Sequence, residues 1–235
     1  MEKRSKDFSS SLVTKNRNDQ LAYLAQVLSH ELKAPVAGLK MLMPLLNRLE
    51  ARHQAGVHEN IQQASSSLFS IIDATADLLN DYRHLTEKDE HLLLMDVLHG
   101  VKSDLDEQVS NLDAHIISDF KVEEILYHPS HLIAIFTELL SNALKFCPAS
   151  RRPKISIQSI IKDKWVYLNF TDNGRGFSVE ESENEAFKIH QNETTGKVQK
   201  GLFRVKNLVG IHGGSIEMES KPGEGTTLFL QLYHV

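Results

Sequence analysis

Between Leu21 and Leu49 the apolar positions advance in alternating steps of four and three: Leu21, Ala25, Leu28, Leu32, Pro35, Leu39, Leu42, Leu46 and Leu49. Such spacing draws one narrow stripe along a helix, the seam of a coiled coil. A second seam runs Val57, Ile61, Ala64, Leu68, Ile71, Thr75, Leu78, Tyr82 and Leu85. Between them lies ARHQAG, whose Gly56 can break a helix. The pattern therefore predicts two antiparallel helices of roughly 30 residues each, an αα-hairpin. A lone hairpin leaves so narrow a stripe largely uncovered, whereas two hairpins cover both seams as a four-helix bundle. A homodimer is the expected solution; packing of both helices on the rest of the chain is the alternative.

After about Leu85 the period changes. KISIQSII, WVYLNFTD, SIEMES and TLFLQLYHV are rich in β-branched and aromatic residues, several alternating with period two. Helical stretches are expected at Asp96 to Leu112, His131 to Phe146 and Leu202 to His212. Strands mixed with helices in this way imply an α+β sandwich, sheet on one side and helices on the other. The polar TEKDEH marks the boundary. The expected organisation is a linker at 1–20 from an upstream region, a helical hairpin at 21–88 and an α/β sandwich domain at 89–235. Residues Phe177 to Lys200 read as a long polar loop, the kind that is usually a functional lid or disordered.

Composition narrows the classes without choosing one. The 235 residues are 41% hydrophobic and 24% charged, with a formal charge of −5 that gives no reason to expect nucleic-acid binding. A single cysteine, Cys147, rules out an intramolecular disulfide and suits a reducing compartment. No apolar run approaches the roughly 20 residues of a membrane helix, and the polar start lacks the apolar stretch of a signal peptide. The expected location is cytoplasmic, including the cytoplasmic part of a sensor whose membrane segment lies upstream.

With Leu28 at heptad position d and Leu32 at the next a, His30 falls at f and faces solvent, with Glu31 at g. An exposed helical histidine is ordinarily a solvated polar residue. Here Pro35 stands within the same helix, where it removes a hydrogen bond to the carbonyl of Glu31 at a cost of about 3 kcal/mol or more, so a functional bend beside His30 is expected. Ser29-His30-Glu31-Leu32-Lys33-Ala34-Pro35 closely resembles the phospho-accepting H-box of sensor histidine kinases. The resemblance implies that His30 attacks the γ-phosphate of ATP as a neutral imidazole, the majority form near pH 7, and that Glu31 takes or directs the ring proton.

Further strings follow in the order that family uses. Glu138-Leu139-Leu140-Ser141-Asn142-Ala143-Leu144-Lys145-Phe146 places Glu138, Asn142 and Lys145 on one helix face. It resembles the N-box of the gyrase, heat-shock and histidine-kinase ATP-binding fold. By that resemblance Asn142 ligates Mg²⁺, with Glu138 a second candidate ligand, and Lys145 meets phosphate; hard oxygens suit this ion. Asp172-Asn173-Gly174-Arg175-Gly176-Phe177 follows a strand and matches the D-x-G-x-G turn. The implied roles are Asp172 as acceptor for the adenine amino group, with Gly174 and Gly176 letting the backbone approach the nucleotide. The second glycine motif is worn: Lys197-Val198-Gln199-Lys200-Gly201-Leu202 keeps only Gly201 and Leu202 of the family pattern. Gly201 opens a helix whose N–H groups could hold phosphate, Lys197 and Lys200 could supply charge in place of the lost glycine backbone, and Phe187 is the only candidate for the lid phenylalanine. Gly223-Glu224-Gly225-Thr226-Thr227 matches the G-x-G-T turn, with Thr226 the implied water-mediated adenine contact.

The resemblance runs from about Leu21 to the C-terminus. It implies an ATP- and Mg²⁺-dependent kinase that phosphorylates His30 and passes the phosphoryl group to an aspartate of a response regulator receiver domain, with no nucleic-acid or membrane contact by this segment. Ala34 stands where the family usually keeps a water-orienting threonine or asparagine, so little phosphatase activity is expected. Two alternatives remain. The worn glycine motif suits a signalling scaffold that binds nucleotide weakly. Glu138, four residues before Asn142, suits an ATPase of the same fold.

Overall fold

The computed structural model describes residues 25, 29, 32–33, 35–44, 54–83, 88–176, 187, 190–191, 198–199 and 201–233. The chain divides into two compact units, one ending at Thr75 and the other starting at Ala76. In the first, residues 35–44 are helical and the long helix α1 (Gln54–Arg83) begins. Side chains at seam positions Leu32, Pro35, Leu39, Leu42, Val57, Ile61, Ala64, Leu68, Ile71 and Thr75 are half-buried or buried. Lys33, Val36, Lys40, Met41, Glu59 and Asn60 between them are exposed. Gly56 does not break the helix, which already includes Gln54. A helical glycine costs about 0.5–1 kcal/mol relative to alanine, too little to stop a long seam from propagating.

The second unit is a two-layer sandwich. Its elements are β1 (Glu90–Leu93), α2 (Leu94–Asp104), α3 (Asp106–Asn111), β2 (His115–Phe120), β3 (Glu124–Tyr127), α4 (Pro129–Lys145), β4 (Lys154–Lys162), β5 (Trp165–Asp172), β6 (His190–Gln191), β7 (Val198–Gln199), α5 (Gly201–Ile211), β8 (Ser215–Lys221) and β9 (Gly225–Tyr233). The main sheet has the order β2-β4-β5-β9-β8, mixed in direction because β2 runs parallel to β4 while the other pairs are antiparallel. The expected helix at Asp96 to Leu112 breaks at Leu105, and the expected loop from Phe177 to Lys200 carries the short antiparallel pair β6–β7.

Alternation along the strands decides which face is covered. Ile155 and Ile157 of β4, Val166, Leu168 and Phe170 of β5, and Leu228, Leu230 and Leu232 of β9 are buried. Helix α4 buries Leu132, Ile135, Phe136, Leu139, Leu140 and Leu144, and α5 buries Phe203, Val205, Leu208 and Val209. Phe136 meets Phe170 edge-on at 5.0 Å, which fixes α4 over β5. Each such side chain contributes about 1.5–3 kcal/mol when fully buried.

Local chemistry sets the ends of these elements. Pro129 occupies the first turn of α4, where its missing N–H costs nothing. At the same end of the helix pair, His131 Nδ1 lies 2.9 Å from His212 Nε2, just past the end of α5, so the two helices run antiparallel. The buried Ser159 hydroxyl donates to the Val122 carbonyl at 2.8 Å and accepts from its N–H at 3.0 Å. Helix α4 therefore delivers its C-terminal half, and α5 its N-terminus, to one end of the sandwich.

Candidate functional site

Glu138 and Asn142 lie one helical turn apart on α4, both half-buried. The start of α5 is seated directly against them. A Cβ on Gly201 would come within 2.5 Å of Glu138 Oε2 and 3.2 Å of Asn142 Nδ2, so a larger residue would push these side chains aside. Glu138 Oε1 accepts from Arg204 Nη1 at 3.3 Å, an ion pair with both side chains more than two-thirds covered. A carboxylate and a carboxamide thus stand beside the N-terminus of an 11-residue helix, where free N–H groups and the helix dipole favour anions.

The second half of the site is the turn that leaves β5. Asp172 Oδ1 accepts from the Gly174 N–H at 2.7 Å, and the Thr226 N–H also donates to this carboxylate. Burial pushes the Asp172 carboxyl above its ordinary value, and these two amides pull the other way. A carboxylate has about four lone-pair sites, so acceptor capacity is left for a ligand. Asp172 pairs with Thr226 across β5 and β9, and the Thr226 hydroxyl lies 2.9 Å from that of Ser220. Gly176 takes φ +66, and a Cβ there would overlap the Lys221 carbonyl.

Residues with no sequence signal hold these turns in place. Arg151 Nη1 donates to the carbonyls of Asn173 at 2.9 Å, Gly223 at 2.9 Å and Gly174 at 3.5 Å, tying the two glycine turns together. Asn173 accepts from the Lys154 N–H at 2.8 Å and donates to the Arg152 carbonyl at 3.0 Å. The carbonyl of Phe146, just past α4, accepts from the Arg175 N–H at 3.0 Å. Helix α4 is thereby joined to the Asp172 turn. Nothing in the string CPASRRP singles out Arg151 as a clamp, because its three acceptors are distant in sequence.

The structure thus brings Glu138, Asn142 and Gly201 together in one cluster and Asp172, Gly174, Gly176 and Thr226 in another, joined through the end of α4. Leu202 follows Gly201 in the first turn of α5, half-buried. Lys145 is exposed and its ammonium stands 4.9 Å from the centre of the Phe146 ring, as does the Arg175 guanidinium. Phe187 is buried, with Lys206 of α5 over its ring at 5.2 Å. His30, Glu31, Ala34, Lys197 and Lys200 lie outside the described residues. Among the described residues no group of three His, Cys, Asp or Glu side chains could hold a metal ion, and no helix is long and apolar enough to cross a membrane.

Residues 127–234 match the family described as "Histidine kinase-, DNA gyrase B-, and HSP90-like ATPase". The chain is 28% identical over 216 residues to the circadian input-output histidine kinase CikA of Synechocystis sp., an alignment covering 85% of this chain and 28% of that protein. It is 23% identical over 228 residues to the sensor histidine kinase YkoH of Bacillus subtilis, covering 94% of this chain and 49% of that one. The chain therefore spans less than half the length of either relative. Among solved structures, the catalytic domain of histidine kinase ThkA superposes with a TM-score of 0.55 at 16% identity, over 63% of this chain and 96% of that one. Full-length ShkA in complex with AMPPNP superposes with a TM-score of 0.55 at 17% identity, over 91% of this chain and 46% of that one. At these identities the superpositions establish the fold alone.

Proposed function

We propose, from the premise that residues 127–234 are an ATP-binding domain of the histidine-kinase type, that this chain is the catalytic core of a sensor kinase that transfers the γ-phosphate of ATP to its own His30. The observation that carries this reading is the half-buried Asp172 carboxylate, fixed by the N–H groups of Gly174 and Thr226 with acceptor capacity to spare. A fixed carboxylate accepts from the exocyclic amine of adenine and has no such donor to meet at the corresponding carbonyl of guanine, a discrimination that polar pairing makes large.

Each remaining residue takes a role from its place. Gly174 and Gly176 keep the turn beneath the base free of side chains. Thr226, beside Ser220, presents a hydroxyl near the Asp172 carboxylate for a water-bridged base contact. Gly201 and Leu202 open α5, whose N-terminus receives phosphate oxygens. Lys145 exchanges its perch over Phe146 for the phosphates. The oxygen donors of Asn142 and Glu138 beside Gly201 suit Mg²⁺, which takes few protein ligands alongside phosphates. Asn142 is the assigned ligand, and Glu138 is second because Arg204 holds one of its oxygens. The ion supplies charge neutralisation on the triphosphate when bound. The chain's own part is to aim the γ-phosphate in line with the imidazole nitrogen of His30, while Glu31 manages the ring proton.

Residues 21–88 serve as the dimerisation and phosphotransfer hairpin, 89–235 as the catalytic domain, and 1–20 as a linker from an upstream region. The phosphoryl group passes from His30 to an aspartate of a response regulator. Exposed Phe69 and Ile72 on α1, 69% and 55% accessible, support a second copy as partner, because large apolar side chains this open on one helix are natural contact points. The direct test is incubation with γ-labelled ATP. Label on the protein that survives base, leaves in acid and is absent from His30→Gln is the expected result. Equal labelling of that variant refutes the assignment, and unlabelled protein that releases phosphate would favour the ATPase alternative.

A further inference from the structure

Glu138 lies one helical turn before Asn142, at the phosphate end of the proposed nucleotide site. A carboxylate there can take a proton from water, and water competes with His30 for the γ-phosphorus. In such a hydrolysis the water oxygen bonds to the γ-phosphorus. The bond to the bridging oxygen breaks with its electron pair leaving on ADP, and the water proton passes to the carboxylate. One oxygen of Glu138 is already engaged, Oε1 accepting from Arg204 Nη1 at 3.3 Å, and the carboxylate sits beside Gly201 at the start of α5. The guanidinium is itself anchored on α5, whose buried Phe203, Val205 and Leu208 lock that helix into the core. Neither side chain of the pair is more than 29% exposed, so bulk water competes poorly for the contact.

We infer that Arg204 is a positioning residue that holds Glu138 out of a water-activating pose, so that the site favours transfer to histidine over hydrolysis. A general base is effective only within hydrogen-bond reach of the proton it removes and with a free lone pair aimed at it. Arg204 reaches Glu138 through Nη1 from a packed helix, and a planar guanidinium is more pre-organised than a flexible ammonium. The inference rests on the nucleotide-site reading above and extends it to the choice of acceptor.

The test uses the full chain carrying His30→Gln, so that phosphate released from ATP cannot come from phosphohistidine. Adding Arg204→Leu should raise inorganic phosphate release by about 100-fold, the low side of what a positioned base contributes. Adding Glu138→Gln to that pair should abolish the rise, whereas Arg204→Lys should give an intermediate rate. ATP binding measured by calorimetry should change by less than about threefold between the His30→Gln chain and its Arg204→Leu derivative, or under about 0.7 kcal/mol. Retained binding with unchanged phosphate release would overturn the inference, and so would a rise that persists after Glu138→Gln. Loss of binding in both Arg204→Leu and Arg204→Lys would overturn it by making Arg204 a nucleotide contact. Absence of ATP binding in the His30→Gln chain itself would overturn the nucleotide reading and this inference with it.

Discussion

Asp172 is held in the fold at a cost, since burial raises its carboxyl above the ordinary value while two amides only partly offset this. Asparagine keeps an oxygen for the Gly174 N–H and sheds the charge. Asp172→Asn should therefore lose most ATP binding by calorimetry without lowering the melting temperature; a marked fall in melting temperature would show the carboxylate to be structural. Gly176 makes the opposite case. An alanine at φ +66 costs about 1–2 kcal/mol from backbone alone, and its Cβ would overlap the Lys221 carbonyl. Gly176→Ala should lower both stability and nucleotide affinity, read from urea unfolding and calorimetry. Ala34 concerns the reverse reaction. A methyl group can neither donate to nor accept from an attacking water, and orienting groups are worth about 10²–10⁴-fold. Decay of a phosphorylated partner regulator should be slow with this chain and faster with Ala34→Thr; rapid decay unaffected by the substitution would show that Ala34 is no deficit.

At the scale of elements, the packing of α4 against α5 includes a titratable seam. The His131 and His212 rings share one hydrogen bond, so one nitrogen donates and the other accepts, and the two cannot both carry a proton there. Tyr127 stacks on His212 at 4.2 Å and His128 lies 4.2 Å from His131. Burial, followed by the neighbouring His131 and His128, lowers His212 to about 3 from its ordinary 6.5. Between those values the unfolded chain binds a proton that the folded chain refuses, so stability falls as pH drops from about 6.5 toward 3. One such group contributes a slope of up to about 1.4 kcal/mol per pH unit. Asp172, with its raised value, works in the other direction above the ordinary carboxylate range. Urea midpoints between pH 7.5 and 5.5 should fall with acid and fall less in His212→Asn. An equal slope in both proteins would remove His212 from the account.

For the whole molecule, the proposed pairing of two chains through their helices rests on the seam periodicity and on the exposed Phe69 and Ile72. Light scattering should give twice the 26.5 kDa chain mass at micromolar concentration, and Phe69→Glu with Ile72→Glu should shift the population toward monomer. A clean monomer of the unaltered chain would refute the pairing. Several features were open to reading from the chain because they are local. Period-two alternation found β4, β5, β8 and β9, and glycine next to a strand end located the Asp172 turn, since local sterics act over a few residues. Heptad spacing matched the covered positions Leu32 to Leu42 and Val57 to Thr75, while Ala25 is exposed and the off-seam Ser70 is buried. Strands β1, β2 and β3 escaped notice. They are short, and β2 lies at a sheet edge where Ile117 is half-exposed, so the burial contrast that marks a strand is weak. Arg151, Arg204 and the histidine seam escaped it for a different reason. Arg151 finds its acceptors at Asn173 and Gly223, Arg204 finds Glu138, and His131 finds His212, all across 22 to 81 residues of chain. A single arginine or histidine carries no periodic signal, and only the folding of α4, α5 and the two glycine turns onto one sheet decides which charge or ring it will meet.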